Sequence, residues 1–138
     1  MPVNPHKGNH GLIRVWHALK NSLSGLYTAA REESAFRQEL ALAVAFLAIS
    51  ALVPVTPIAH VLLAASVLLV LIVELLNSGI EAAIDRISLE YHDLSKRAKD
   101  YASAAVMLSL ILCAMTWLLI LVPLFGPRVL VWLHISAH

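Results

Sequence analysis

Glu74, Asn77, Glu81 and Asp85 recur every three or four residues in Val61–Arg86, a stretch that begins as an apolar run. At ~100° per residue, their side chains fall within roughly 80° of one another on one helical face. Carboxylates beside lipid are costly unless they are paired, solvated or bound to a cation, so this stripe must point inward, toward chemistry or a partner. Carboxylate oxygens are hard ligands suited to Mg²⁺, which usually binds through one or two carboxylates together with substrate phosphates. Glu74 lies deepest in the apolar run and could take a proton from a hydroxyl there. Lys99, with Arg14 or Arg97, could neutralise phosphate charge at the membrane surface.

The elements that position these groups follow from composition. The chain has 138 residues, 59% of them hydrophobic, and a mean hydropathy of +0.78, far too apolar for a soluble domain of this length. The charges of both signs nearly cancel, so nothing points to nucleic acid. Residues 12–31 carry Leu12, Trp16, Leu19, Leu23 and Leu26 at helical spacing, with Arg14, His17, Lys20, Asn21 and Ser24 on other faces. That pattern predicts an amphipathic helix in the headgroup region. Residues 32–39, EESAFRQE, read as a polar hinge; a first span over 35–53 includes part of it. Glu33 and Arg37 are one turn apart and could pair with each other, while the Glu-Glu-x-x-x-Arg-Gln-Glu cluster as a whole could form the lip of a polar site. Val53-Pro54-Val55-Thr56-Pro57 predicts a short turn with Pro57 opening the next helix. The second span then covers 58–87, the third 96–122, and a Pro/Gly-interrupted tail occupies 123–138.

Apart from Arg128, every Lys and Arg lies in the N-terminal segment or in residues 86–99. The positive-inside rule therefore places the N-terminus and the second loop in the cytoplasm, and the C-terminus outside. The acidic stripe then lies at the cytoplasmic end of the second span, within reach of both nucleotide and lipid. Residues 1–11 lack the apolar core of a cleavable signal, so the spans themselves are expected to carry targeting. Cys113 is the sole cysteine, inside an apolar run, and reads as an inert buried thiol. The chain has no GxxxxGK[ST] loop, HExxH, CxxC or GxSxG motif. From spacing alone, three classes stay open: a lipid-phosphorylating enzyme, a small proton-coupled transporter using Glu74, and a structural subunit pairing its stripe with basic groups.

ELLNSGIEAAID (Glu74–Asp85), EESAFRQE before the first span and EYHDLSKRAKDYASAAV around the second loop together resemble the prokaryotic diacylglycerol kinase family. The resemblance covers about residues 11–122 and the three-span layout. It implies an all-α integral-membrane fold, a surface helix plus three transmembrane helices, in the bacterial inner membrane. The implied partners are ATP and diacylglycerol, with Mg²⁺ bound together with the nucleotide and phosphatidic acid as product. Homotrimers sharing active sites between neighbours are also implied.

By position, the resemblance makes Glu74 the general base and Glu33 and Glu81 the metal ligands. Arg14, Asn21, Glu90, Tyr91, His92, Lys99 and Asp100 fall at the nucleotide. Arg37, Gln38 and Ser103 fall along the lipid, with Asn77 and Asp85 in support. Asn21 stands where well-known members have Tyr, and His60 where an Arg can occur. Gly79 replaces a small Ala or Ser, which suggests close packing. Simpler roles exist for some of these residues: Asp85 as an ion-pair partner of Arg86 or Lys99, Tyr91 as an interfacial anchor, His92 as a loop hydrogen-bonder. A branch of the family that phosphorylates undecaprenol is the nearest alternative.

Overall fold

The computed structural model describes residues 11–88 and 90–136, with side chains through residue 125. All regular structure among them is helical: α1 (Leu12–Glu32), α2 (Ser34–Leu52), α3 (Pro57–Ile87) and α4 (Asp93–Ser136). Three stretches are long and apolar enough to cross a membrane: Ser34–Leu52, Pro57–Ile87 and Asp93–Phe125.

The polar stretch before α2 is hardly a hinge. Only Glu33 leaves helical geometry, at φ −94° and ψ 115°, and α2 starts at the next residue. Glu32 closes α1, and Ser34–Glu39 form the first turn and a half of α2. Arg37 secures this elbow by donating from a guanidinium nitrogen to the Arg31 carbonyl at 2.8 Å, satisfying one of the acceptors that every helix C-terminus leaves open. Its guanidinium is thus turned to the backbone of α1 rather than to the Glu33 carboxylate.

The α2–α3 connection follows from local chemistry. Val53 ends α2 in an extended conformation, and Pro57 occupies the first turn of α3, where its missing N–H costs nothing. Thr56 Oγ1 accepts from the Ala59 amide at 3.3 Å and caps the helix. The short turn folds α2 back against α3, and α3 also packs along α4, which makes α3 the central helix. Leu63, with no exposed surface, joins Ala43, Val67 and Trp117 in the core, and Phe46 meets Trp117 edge-on at 4.6 Å. The hydroxyls of Ser66, Ser109 and Thr116 turn back to carbonyls of their own helices, which satisfies them without water.

Two local expectations differ from what the helices do. α4 does not end at the Pro-containing segment after Val122 but continues as helix to Ser136. Pro123 removes a single intrahelical hydrogen bond, a loss that a long apolar helix tolerates. The side chains of the expected external tail beyond Phe125, and the first ten residues, lie outside the described ones. Gly79 is not a site of close approach within this chain, because a Cβ there would meet nothing within 4 Å. It lines an open groove instead.

Candidate active site

The central helix α3 carries the acidic stripe toward its C-terminal end, and the elbow between α1 and α2 is brought against it. Glu74 is only 4% exposed. Glu81 and Glu33 both lie within electrostatic range of it, as does Glu39 from α2. Asn77 donates from Nδ2 to Glu81 Oε1 at 3.2 Å, one turn along α3. Its own Oδ1 is buried without a partner among the described residues, as is Oε2 of Glu39. Trp117 Nε1 in the core is in the same state, so it is the position of Asn77 and Glu39 beside Glu74, and not the missing partner by itself, that connects them with the site.

Glu39 is a residue to which the motif reading gives no role of its own beyond the polar cluster before α2. It stands on the same face of α2 as the buried Phe36 and Ala43, three residues after one and four before the other. With Leu42, Phe46, Val67, Val70, Leu110 and Cys113 it lines a narrow apolar slot. The seven-residue spacing of Phe36, Ala43 and Ser50 is the signal that would have found it: any helical stripe through those positions also contains Glu39.

Two hollows flank this stripe, and one of them gathers several of the remaining expected site residues. A cavity of about 350 Å³ opens where α3 ends and α4 begins, lined among others by Asp85, Glu90, Tyr91, His92, Lys96, Lys99 and Asp100. Its walls are fixed by short polar contacts. Lys99 donates to Asp85 at 2.6 Å, and Lys96 pairs with Asp100. His92 Nδ1 accepts from the Leu94 amide at the start of α4, so its loop role is realised. Tyr91 is 77% exposed. A second, larger groove of about 700 Å³ separates α1 from α3 and is lined chiefly by small residues, among them Ser22, Gly25, Ala29, Ser78, Gly79 and Ala82, with Glu33 on its wall.

The structure thus brings together Glu33, Glu74, Asn77 and Glu81, and separately Asp85, Glu90, Tyr91, His92, Lys99 and Asp100. Arg14 and Asn21 lie exposed on α1 and line neither hollow, and Gln38 and Ser103 are exposed on α2 and α4. Among the described residues, no three metal-ligating side chains converge on one point.

The model of the family described as prokaryotic diacylglycerol kinase matches residues 20–121. The diacylglycerol kinase of Pseudomonas aeruginosa is 47% identical over 121 residues, 88% of this chain and 98% of that protein. The diacylglycerol kinase of Escherichia coli K12 is 47% identical over 116 residues, 84% of this chain and 95% of that one. The diacylglycerol kinase of Haemophilus influenzae is 42% identical over 107 residues, covering 78% and 91%.

Proposed function

Because the chain belongs to the prokaryotic diacylglycerol kinase family, we propose that it transfers the γ-phosphoryl group of ATP to the free hydroxyl of diacylglycerol, giving phosphatidic acid and ADP. The observation that carries the mechanism is the burial of Glu74 on the face of α3 that also holds Asn77 and Glu81. Glu74 accepts the hydroxyl proton as the lipid oxygen attacks phosphorus. Glu33 and Glu81 are the residues that would hold Mg²⁺ with the nucleotide, and Asn77 orients Glu81 for it. When bound, the cation neutralises charge on the phosphates. The cavity between α3 and α4 takes the nucleotide, with Glu90, Tyr91, His92, Lys99 and Asp100 around it.

The placement in the cell extends the same reading. α1 lies in the headgroup layer, presenting Leu12, Trp16, Leu19 and Leu23, none of which the chain itself covers. The N-terminus and the α3–α4 loop face the cytoplasm of a bacterial inner membrane, where ATP is available. Arg14 and Asn21 on α1 and Gln38 and Ser103 at the membrane edge complete the nucleotide and lipid sides in a homotrimer whose neighbours share each site. Arg37 contributes there by holding the elbow.

The test is transfer of labelled γ-phosphate from Mg-ATP in mixed micelles, with diacylglycerol and undecaprenol offered separately. Labelled phosphatidic acid that vanishes in Glu74→Gln is the expected result. Label on undecaprenol alone would keep the chemistry and replace the acceptor. No label on either lipid, from folded protein, would sink the kinase reading and leave proton flux as the activity to assay.

A further inference from the structure

Of the three basic residues at the start of α4, Lys96 and Lys99 line the α3–α4 cavity and Arg97 does not. Among the described residues, no carboxylate stands at ion-pair distance from Arg97. Asp100 pairs with Lys96, and Asp93, one turn back, forms no bridge to it. The guanidinium turns along its own helix to Tyr101 instead. It donates to the phenol oxygen at 3.1 Å, with its central carbon 5.9 Å from the ring centre. A guanidinium has five N–H donors, so most of them stay open. The phenol oxygen accepts from Arg97, which leaves its own hydrogen to donate elsewhere. Both side chains are exposed.

Tyr101 opens the charge-free run of α4, so Arg97 stands one turn outside the apolar layer. At ~100° per residue, Arg97 and Tyr101 share one side of the helix, within roughly 60°, with Leu108, Leu112, Met115 and Leu119. All four are exposed, and the buried Ala102, Ser109 and Trp117 occupy the other side. Helices that dock in a membrane approach through small residues. Four long apolar side chains in a row suit fluid acyl chains as their cover. A guanidinium and a free phenol hydrogen at the head of that row complement a phosphate carried on such chains. Spacing alone offers Arg97 to the same phosphate as Lys99, whereas the structure turns it to the far side of α4. We propose that Arg97 and Tyr101 hold the headgroup phosphate of an anionic phospholipid whose chains lie along Leu108, Leu112, Met115 and Leu119, outside the active site. This rests on α4 crossing the membrane and not on the phosphoryl transfer.

The experiment titrates phosphatidylglycerol into the full chain in a non-ionic detergent and follows bound lipid per protein by native mass spectrometry. Phosphatidylglycerol is neither substrate nor product of the proposed reaction, which keeps the active site out of the measurement. Its first association constant is expected to exceed that of phosphatidylcholine, which carries the same phosphate without net charge. Arg97→Gln lowers the constant about fivefold, the weight of one basic side chain beside an anionic lipid surface. Tyr101→Phe keeps the ring, loses only the hydroxyl donor, and lowers the constant less. Lys96→Met removes a neighbouring charge from another face of α4 and leaves the constant unchanged, as does excess inorganic phosphate. An equal loss in Lys96→Met would reduce the effect to diffuse surface charge and overturn the proposal. An unchanged constant in Arg97→Gln or in Tyr101→Phe would overturn it too. Displacement by inorganic phosphate would do the same, by marking a site for soluble anions. Failure of the kinase reading is separable, because no phosphoryl transfer enters this measurement.

Discussion

Lys99 Nζ and Asp85 Oδ1 meet at 2.6 Å across the loop that joins α3 to α4. Both side chains are part-exposed, so the pair contributes on the order of 0.2–1 kcal/mol to the fold. Its larger effect is geometric, because it fixes the width of the cavity between the helices. Asp85→Asn is expected to lower the thermal midpoint in detergent only slightly while raising the KM for ATP. The exchanged pair, Asp85→Lys with Lys99→Asp, restores the midpoint but not ATP affinity, because it moves the cationic group off α4, where the nucleotide's phosphates are proposed to meet it. Melting curves and KM values for the two variants check both halves.

Glu74→Gln keeps the volume of the side chain and removes the base. Turnover is expected to fall by about 10²–10⁴-fold, the usual contribution of a positioned general base, with nucleotide binding intact. Single-turnover transfer and equilibrium ATP binding on the same preparation separate the two.

Asn77→Ala removes the donor that holds Glu81 at 3.2 Å. The loss is expected in the metal requirement: half-maximal activity should need about 10–100-fold more Mg²⁺, the size of effect seen when a ligand's orienting partner is removed. Titration of activity with free Mg²⁺ after chelation reads this directly. Unchanged metal dependence would place Glu81 outside cation binding.

Glu39 has one carboxylate oxygen buried without a partner and stands near Glu74. Glu39→Gln is expected to stabilise the protein by on the order of 1 kcal/mol, because it removes a half-buried acidic group close to another. The same change lowers turnover if the group serves the reaction. A higher midpoint with reduced kcat is the expected combination.

Leu63→Ala opens a hole where α2, α3 and α4 meet, at a side chain with no exposed surface. The expected cost is about 2–5 kcal/mol. Activity measured well below the midpoint should persist, since Leu63 is more than two turns from Glu74 along α3.

Much of this architecture was legible because apolar runs of membrane length and a Pro-opened turn are strong local signals. Glu74, Asn77 and Glu81 stood out for the same reason, being polar groups at helical spacing where lipid forbids them. Glu39 did not, because a polar stretch at a membrane edge looks like a linker until the register of α2 places its last carboxylate beside Phe36 and Ala43. Arg37 was ambiguous for a related reason. Whether it meets Glu33 or a carbonyl of α1 depends on the angle of the elbow, which no spacing rule contains. The continuation of α4 beyond Val122 was hidden by Pro and Gly residues that end helices in water more readily than in apolar surroundings.

α1 and α2 are two rigid rods joined through the backbone of a single residue, Glu33. Two torsions of that residue therefore set the angle between a helix proposed to lie flat on the membrane and one proposed to cross it. When the hydrocarbon layer thins or thickens, a spanning helix adjusts by tilting. Were α1 to rest on the surface as proposed, a change of tilt would fall on Glu33, against the Arg37 contact that braces the elbow. The residue proposed to grip the cation is thus the joint between the two helices.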